Sequence, residues 1–369
     1  APKDEEAISA QFLLRAGFVD KLMAGVYSFL PLGLRVLKRI EAVIREEMNE
    51  IGGQELLLPV IQPKELWEKT GRWQEFNALY KLKSHEGKEI ALGPTHEEVI
   101  VPLAKKFIKS YKDLPIYVYQ IQTKFRDEPR PKSGLLRNRE FLMKDLYSFH
   151  TSEEDLGKFY EKMKRVYQRI FQRLSLKTLV VEASGGTFSK YSHEFQVPSE
   201  TGEDVIVYCS CGFARNREIT NLKENNPCPK CGKKVKIMRA IEVGNIFKLG
   251  TKYSQPFDLK YRDKKGEGKT VFMGCYGIGL GRAMGTIVEI HRDDKGIIWP
   301  SSVAPFNAHL ISILPSEKNK TQKIKGIAEK LYRSLNQNTK LEILYDDRDN
   351  VSNGEKLVEA DLLGIPWRI

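Results

Sequence analysis

The sequence predicts an α/β (α+β) chain: a mainly antiparallel sheet flanked by helices, followed by a smaller α/β unit. Three observations carry this expectation. Across residues 90–257, strand-like and helix-like runs mix without a repeating βαβ rhythm, which argues against a parallel doubly wound sheet. Within that stretch, residues 116–150 read as two extended runs joined by a basic turn containing Pro129, Pro131 and Gly134. After Pro300-Ser-Ser-Val-Ala-Pro305 the rhythm changes to alternating strands and helices.

The elements follow in order. Leu34, Leu37, Ile40, Ile44, Met48 and Ile51 recur at helical spacing, Gly52-Gly53 ends that helix, and residues 56–60 read as a buried strand. Thr95, followed by Glu97 and Glu98, reads as a helix N-terminus. In the hairpin, Arg126 and Glu128 are expected to share one face of the first strand, and Phe141, Met143, Asp145 and Tyr147 one face of the second. That would set a phosphate-binding cation beside an aromatic shelf; the plainer reading is a solvated charged face. Residues 271–276 read as a short buried strand and residues 283–290 as a helix, with Gly277-Ile-Gly279-Leu-Gly281-Arg282 between them. A dinucleotide fingerprint would need glycine where Arg282 stands, and a P-loop would end in Gly-Lys-Ser/Thr, so this glycine run instead delivers an arginine. In the tail, strands are expected at 309–314 and 341–345 and helices at 322–335 and 354–363, with a further strand starting at Pro366-Trp-Arg-Ile369, where the sequence stops. That unit is therefore expected to be incomplete.

Composition bounds the partners. A chain of 369 residues can bury two or three domains, and 60 Lys plus Arg against 48 Asp plus Glu give a formal charge of +12, which suits a polyanion. No apolar run approaches a membrane span, and Ala1-Pro-Lys-Asp-Glu-Glu6 is no signal peptide, so no membrane partner is expected. The expected address is the cytoplasm, with an organellar matrix after removal of a targeting segment as the alternative.

A second local signal is Cys209-Ser-Cys211-Gly212 followed by Pro227-Cys228-Pro-Lys-Cys231-Gly232. Four thiolates so spaced can converge on one tetrahedral, structural Zn²⁺, with a glycine after each pair permitting the tight turn. The single residue inside the first pair strains a shared site, and buried reduced thiols are the plainer reading. Cys275 stands apart from this set.

Phe125-Arg-Asp-Glu128 resembles motif 2 of the class II aminoacyl-tRNA synthetases, Gly277 to Arg282 resembles motif 3, and the helix-strand unit at 34–59 resembles motif 1. More narrowly, Leu14-Arg-Ala-Gly-Phe18, Gly25-Val-Tyr-Ser-Phe-Leu-Pro-Leu-Gly33, Gly93-Pro-Thr-His-Glu97, Ser192-His-Glu-Phe195 and Gly250-Thr-Lys-Tyr-Ser254 together resemble the bacterial-type prolyl-tRNA synthetases. The resemblance implies a catalytic domain over 1–300, with a small Cys-rich insertion at about 199–240, and an anticodon-binding domain over 301–369. It also implies a homodimer joined through the motif 1 unit, the substrates ATP with Mg²⁺, L-proline and tRNA(Pro), and formation of prolyl-adenylate before transfer to tRNA.

By the same resemblance, Arg126 would hold the α-phosphate and the proline carboxylate, Arg282 the γ-phosphate, Glu128 the adenine amino edge and Phe141 an adenine face, with Thr251 among the ATP contacts. Thr95 and Glu97 would bind the proline nitrogen, Asp145 would help orient it, and Met143, Tyr147, His193, Phe195 and Cys275 would surround the ring. The chain departs from the family in having Asn245 and Lys248 where histidine and glutamine are frequent. It also has only the short Cys-bearing insertion where many relatives carry an editing domain, so cis-editing of alanyl-tRNA(Pro) is expected to be missing. Asp346-Asp-Arg348 and Lys356 are candidate anticodon readers, or else surface charges. Two other functions fit less well. A threonyl-type class IIa enzyme would use a catalytic zinc with mixed Cys and His ligands, and an inactive synthetase-like tRNA-binding protein would have no need of both Arg126 and Arg282.

Overall fold

A computed structural model of the chain describes residue 5 and residues 7–131, 133–338 and 340–369; most of the N-terminal stretch 1–6 therefore lies outside the described residues. Its centre is a nine-stranded sheet among the described residues, in the order Tyr191–Pro198, Leu179–Ser184, Ala214–Asn216, Asp204–Tyr208, Lys236–Gly250, Phe272–Gly279, Glu140–His150, Ile116–Phe125 and Gln54–Glu55. Pairing is antiparallel except between Gln54–Glu55 and Ile116–Phe125 and between Ala214–Asn216 and Leu179–Ser184. The long Lys236–Gly250 strand serves two neighbours on one edge: its first residues pair with Asp204–Tyr208 and its later ones with Tyr191–Pro198.

One face of the sheet is covered by helices. Along Glu153–Arg173, Leu156, Phe159, Tyr160, Met163, Val166, Tyr167, Ile170 and Phe171 are buried at helical spacing, and Ser152 caps the start by accepting a hydrogen bond from the Asp155 N–H. This stripe joins the Pro31–Glu50 and Leu280–Ile290 helices in one core with Leu146, Phe195, Ile246, Tyr276 and Ile278 of the sheet. The opposite face carries Tyr147, Phe149, Met273 and Cys275, packed beneath the Glu97–Phe107 helix. Beyond the end of that helix this face stays open as a pocket.

Three local expectations are corrected. Residues 56–60 form no buried strand: Leu57 is 73% exposed, and the segment is held to the Ile116–Phe125 strand largely by side chains. The Leu58 N–H donates to Gln120 Oε1, and Gln122 Nε2 donates to the Leu58 carbonyl, which replaces a ladder with glutamine bridges. Arg126 and Glu128 lie past the end of the Ile116–Phe125 strand, in the loop that follows. The strand expected at 271–276 continues to Gly279 and its helix begins at Leu280, so Arg282 sits in the first helical turn.

The C-terminal unit is a parallel sheet with Ala308–Ile311 between Ile343–Asp346 and Trp367–Arg368, accompanied by the Lys318–Asn338 and Asn353–Leu363 helices. It docks through backbone bonds from Trp299 N–H to the Gly364 carbonyl and from Ile297 N–H to the Leu362 carbonyl. Arg35 of the Pro31–Glu50 helix stacks on Phe306 at 4.1 Å, and Arg35 and Arg39 both pair with Glu342. No helix among the described residues is long and apolar enough to cross a membrane.

Candidate active site

The open face of the sheet holds a pocket of about 450 Å³ whose walls include Thr95, Arg126, Glu128, Phe141, Met143, Asp145, Cys275 and Arg282. Strand alternation produces most of this set. Phe141, Met143 and Asp145 point to one side of Glu140–His150, and the antiparallel register sets Gly277 opposite Asp145 and Cys275 opposite Tyr147.

Arg126 is the most exacting member. Its backbone N–H donates to the Arg139 carbonyl at 2.8 Å, which fixes the loop, and its guanidinium lies 5.2 Å from the centre of the Phe141 ring. Its buried Nε has no hydrogen-bond partner. Burial, and then the charge of Arg282, lower its pKa against the pull of Glu242 and Glu97, so the nearby carboxylates compensate this cation only in part. Arg282, by contrast, is braced: Nε donates to the Leu136 carbonyl at 2.7 Å and Nη1 to Glu242 at 2.9 Å. Glu128 is held by Arg137 at 2.9 Å, and Arg137 also reaches Glu203.

Asp145 links the wall to a polar layer behind it. Asp145 accepts hydrogen bonds from Gln120 Nε2 and the Tyr147 hydroxyl, both at 2.8 Å, and forms an ion pair with the buried Lys124 at 2.8 Å. His96 accepts from Lys124 at Nδ1, so its proton is on Nε2, which donates to the Pro59 carbonyl. Burial and the Lys124 charge push the His96 pKa down to about 4, which keeps the ring neutral. Glu97 is sealed behind Thr95 and Cys275, accepting from the Thr95 hydroxyl and from the Cys275 thiol at 3.1 Å. Burial, with the Glu97 carboxylate next, pushes the Cys275 thiol well up, so it stays protonated and donates.

The residues expected at the site thus separate into three groups. Thr95, Arg126, Glu128, Phe141, Met143, Asp145, Cys275 and Arg282 form the walls, and Glu97 and Tyr147 stand one layer behind. His193, Phe195 and Thr251 do not join them. His193 Nδ1 donates to the Tyr160 hydroxyl oxygen at 2.8 Å, while Lys164 donates to its Nε2, and Phe195 packs against the Tyr167 and Phe171 rings, so both face the Glu153–Arg173 helix across the sheet from the pocket. Thr251 lies in the turn after Gly250 and is not among the wall residues. Lys248 also turns away, its ammonium 5.0 Å from the Tyr160 ring.

Sequence reasoning missed Phe188, Phe247 and Glu242 as walls. The first two rings lie 4.8 Å apart, an encounter between distant segments that leaves no local pattern. Glu242 could have been sought as the opposite charge that braces Arg282.

Among the anticodon candidates, Lys356 is buried and its ammonium donates to the carbonyls of Ser312 and Asp346, so it secures strand ends. Arg348 is held by Asp346 and Glu359. The Sγ atoms of Cys209, Cys211, Cys228 and Cys231 all lie within 4.8 Å of one another, so the short first spacing does converge with the second.

Residues 80–291 match the family model of the class II tRNA synthetase core domain (G, H, P, S and T), and residues 305–369 match that of the anticodon binding domain. The chain is 36% identical to the proline–tRNA ligase of Thermosipho melanesiensis, an alignment covering all of this chain and 90% of the relative. It is 40% identical to that of Wolbachia sp. subsp. Brugia malayi, covering all of this chain and 88% of the relative. The first alignment needs 518 residues and the second 382, against 369 here, so the Thermosipho protein carries a long stretch of inserted residues that this chain lacks. A solved Giardia lamblia prolyl-tRNA synthetase in complex with prolyl-adenylate shares the fold, with a TM-score of 0.81 at 24% identity over 97% of this chain and 68% of that one. Similarity over its full length to these ligases, on the class II core fold, makes this chain a member of the prolyl-tRNA synthetase family.

Proposed function

We propose that this protein activates L-proline with ATP and transfers it to tRNA(Pro), and that the pocket around Arg126 is where the adenylate forms. The observation that carries this reading is the half-buried Arg126 on the pocket wall, whose Nε is buried and unpartnered beside the Phe141 ring. Such a group is stabilised when an anion arrives, and a bidentate guanidinium suits phosphate and carboxylate oxygens.

The chemistry needs no general base, because the proline carboxylate is already the nucleophile. It attacks the α-phosphorus in line, a carboxylate-oxygen to phosphorus bond forms, and the bond to pyrophosphate breaks with its electrons leaving on pyrophosphate. Arg126 draws the two anionic partners together, and Arg282, braced by Glu242, meets the charge developing on the leaving group. Phe141 offers a ring face to adenine and Glu128 an acceptor to its amino edge. Thr95 and Asp145 receive the secondary ammonium, while Met143 and Cys275 bound the ring. In the second step a terminal ribose hydroxyl of tRNA attacks the anhydride carbonyl, and AMP leaves. Hard oxygen donors on the wall, the carboxylates of Glu242 and Asp204, fit Mg²⁺; when bound with ATP it neutralises phosphate charge.

Away from this pocket, the four clustered thiols suit Zn²⁺ rather than Mg²⁺. The exposed Leu57 and Ile61, 73% and 61% accessible in the segment that follows the Pro31–Glu50 helix, support association into a homodimer. The family's role in protein synthesis supports a cytoplasmic location.

The decisive assay is amino-acid-dependent exchange between ATP and labelled pyrophosphate, run with proline, threonine and alanine. Exchange with proline alone is expected. Exchange with threonine and not proline would overturn the assignment, and exchange with none would leave a tRNA-binding protein without turnover.

A further inference from the structure

We infer that Cys209, Cys211, Cys228 and Cys231 hold one Zn²⁺, and that this ion fixes the strand pair forming one wall of the nucleotide pocket. The geometry is that of a ligand tetrahedron. Cys209 Sγ lies 3.6 Å from Cys231 Sγ, and Cys211 Sγ lies 3.7 Å from Cys228 Sγ. A tetrahedral ion with Zn–S bonds of about 2.3 Å sets its sulfurs about 3.8 Å apart, whereas a disulfide would bring them to about 2.05 Å.

The backbone is built to the same end twice. The Cys209 N–H donates to the Phe213 carbonyl and the Gly212 N–H to the Cys209 carbonyl. The Cys228 N–H donates to the Lys233 carbonyl and the Gly232 N–H to the Cys228 carbonyl. These are two versions of one knuckle, the first shorter by one residue, which is how a single intervening residue is accommodated. Gly212 and Gly232 have φ of +85° and +75°, and nothing lies within 4 Å of where their Cβ would stand. Glycine is therefore required by the left-handed backbone and not by crowding.

The lobe has little else to hold it. Apart from the cysteines, its buried apolar residues are Val207 and Val235, with Phe213, Leu222 and Ile237 partly buried against them. So small a cluster leaves much of the folding free energy to the metal. Four thiolates fill the tetrahedron, so the ion has no open position for chemistry.

Its effect reaches the pocket through two strands. Cys209 follows the Asp204–Tyr208 strand, and Cys231 comes shortly before the Lys236–Gly250 strand. These strands pair from Tyr208 opposite Lys236 to Asp204 opposite Ala240. Just beyond the far end, Asp204 and Glu242 through Asn245 line the pocket, and Glu242 braces Arg282. Clamping the cysteine-bearing ends thus fixes the register that presents Glu242 to Arg282. This second part rests on the reading of the pocket as the ATP site.

The test begins with elemental analysis of the full chain, purified without metal-affinity resin or chelator. One zinc per chain is expected, released stoichiometrically as a mercurial titrates four thiols; zinc well below one per chain would overturn the site. These readings need no substrate, so they stand apart from the assignment of the reaction. In the double variant Cys228→Ser, Cys231→Ser, zinc is lost, and the KM for ATP in pyrophosphate exchange rises while that for proline does not. An unchanged KM for ATP in the zinc-free protein would overturn the supporting role. Where the variant does not fold, chelation of the native protein gives the same comparison: a lower thermal midpoint with loss of zinc supports the ion's structural role, and an unchanged midpoint refutes it.

Discussion

Replacing Arg72 by methionine should destabilise the protein by an amount that the structure allows to be worked out. Arg72 is 1% exposed and donates through Nη1 to both oxygens of Glu98, at 2.8 and 3.1 Å. The remaining nitrogens Nε and Nη2 have no hydrogen-bond partner and face rings instead, with Phe188 at 4.7 Å, Phe76 at 4.9 Å, Trp67 at 5.1 Å and Tyr253 at 5.5 Å. Removing the cation leaves the buried Glu98 carboxylate with the Thr70 hydroxyl as its remaining side-chain partner. Breaking a buried pair in this way costs about 3–5 kcal/mol, which for a chain of 369 residues corresponds to a thermal midpoint lower by about 4–6 °C. Burial already raises the Glu98 pKa against the pull of Arg72, and losing Arg72 raises it further. Between the unfolded value of about 4.3 and the raised folded value, the folded state binds more protons than the unfolded one, so stability falls as pH rises through that window. The deficit of Arg72→Met is therefore largest at alkaline pH and shrinks on acidification. Adding Glu98→Gln removes the stranded charge and should recover most of the loss. Thermal melts of both variants from acidic to alkaline pH give the answer. A single variant melting within about 2 °C of the parent at pH 8, or a double variant no better than the single, would refute the reasoning.

Other expectations concern the site. Arg126→Ala should lower kcat for proline-dependent pyrophosphate exchange about 10²–10³-fold, the usual loss when a transition-state donor is removed, and Arg126→Lys should rescue little because the fork is lost; a loss under tenfold would remove Arg126 from the reaction. His193→Ala should leave the KM for proline unchanged, because the ring faces Tyr160 across the sheet, whereas a tenfold rise would put it in the pocket. The chain should not deacylate alanyl-tRNA(Pro), since it lacks the inserted stretch of the longer relatives; rapid release of alanine by the purified protein would contradict this.

Much of the site could be read before any coordinates. The hairpin strands fall at Ile116–Phe125 and Glu140–His150, and alternation alone groups Phe141, Met143, Asp145 and Tyr147 on one face. The alternating tail appears with its strands parallel. Misplacements share one cause, the reliance on local composition and motif where hydrogen bonding or packing decides. Leu56 to Val60 looks like a strand by composition, yet glutamine side chains take the bonds that a ladder would have used. His193 and Phe195 belong to a quoted motif, but a motif says nothing about which face of the sheet its residues occupy. That face is chosen by the Glu153–Arg173 helix, whose Tyr160, Tyr167 and Phe171 receive them.

The sequence by itself determined the family of this protein, because an arginine after a β-rich run and a second arginine at the end of a glycine run are local motifs, and its two cysteine pairs are a local arrangement whose residue type suits a soft metal ion. Only the tertiary structure decided that Arg126 Nε stands without a hydrogen-bond partner while Arg282 is braced by Glu242, that Glu97 lies behind Thr95 and Cys275, and that the sulfurs of the two cysteine pairs come within 4.8 Å of one another. Each of these depends on how segments far apart in the chain pair across the sheet, and strand register and the desolvation it imposes are properties of the assembled layers.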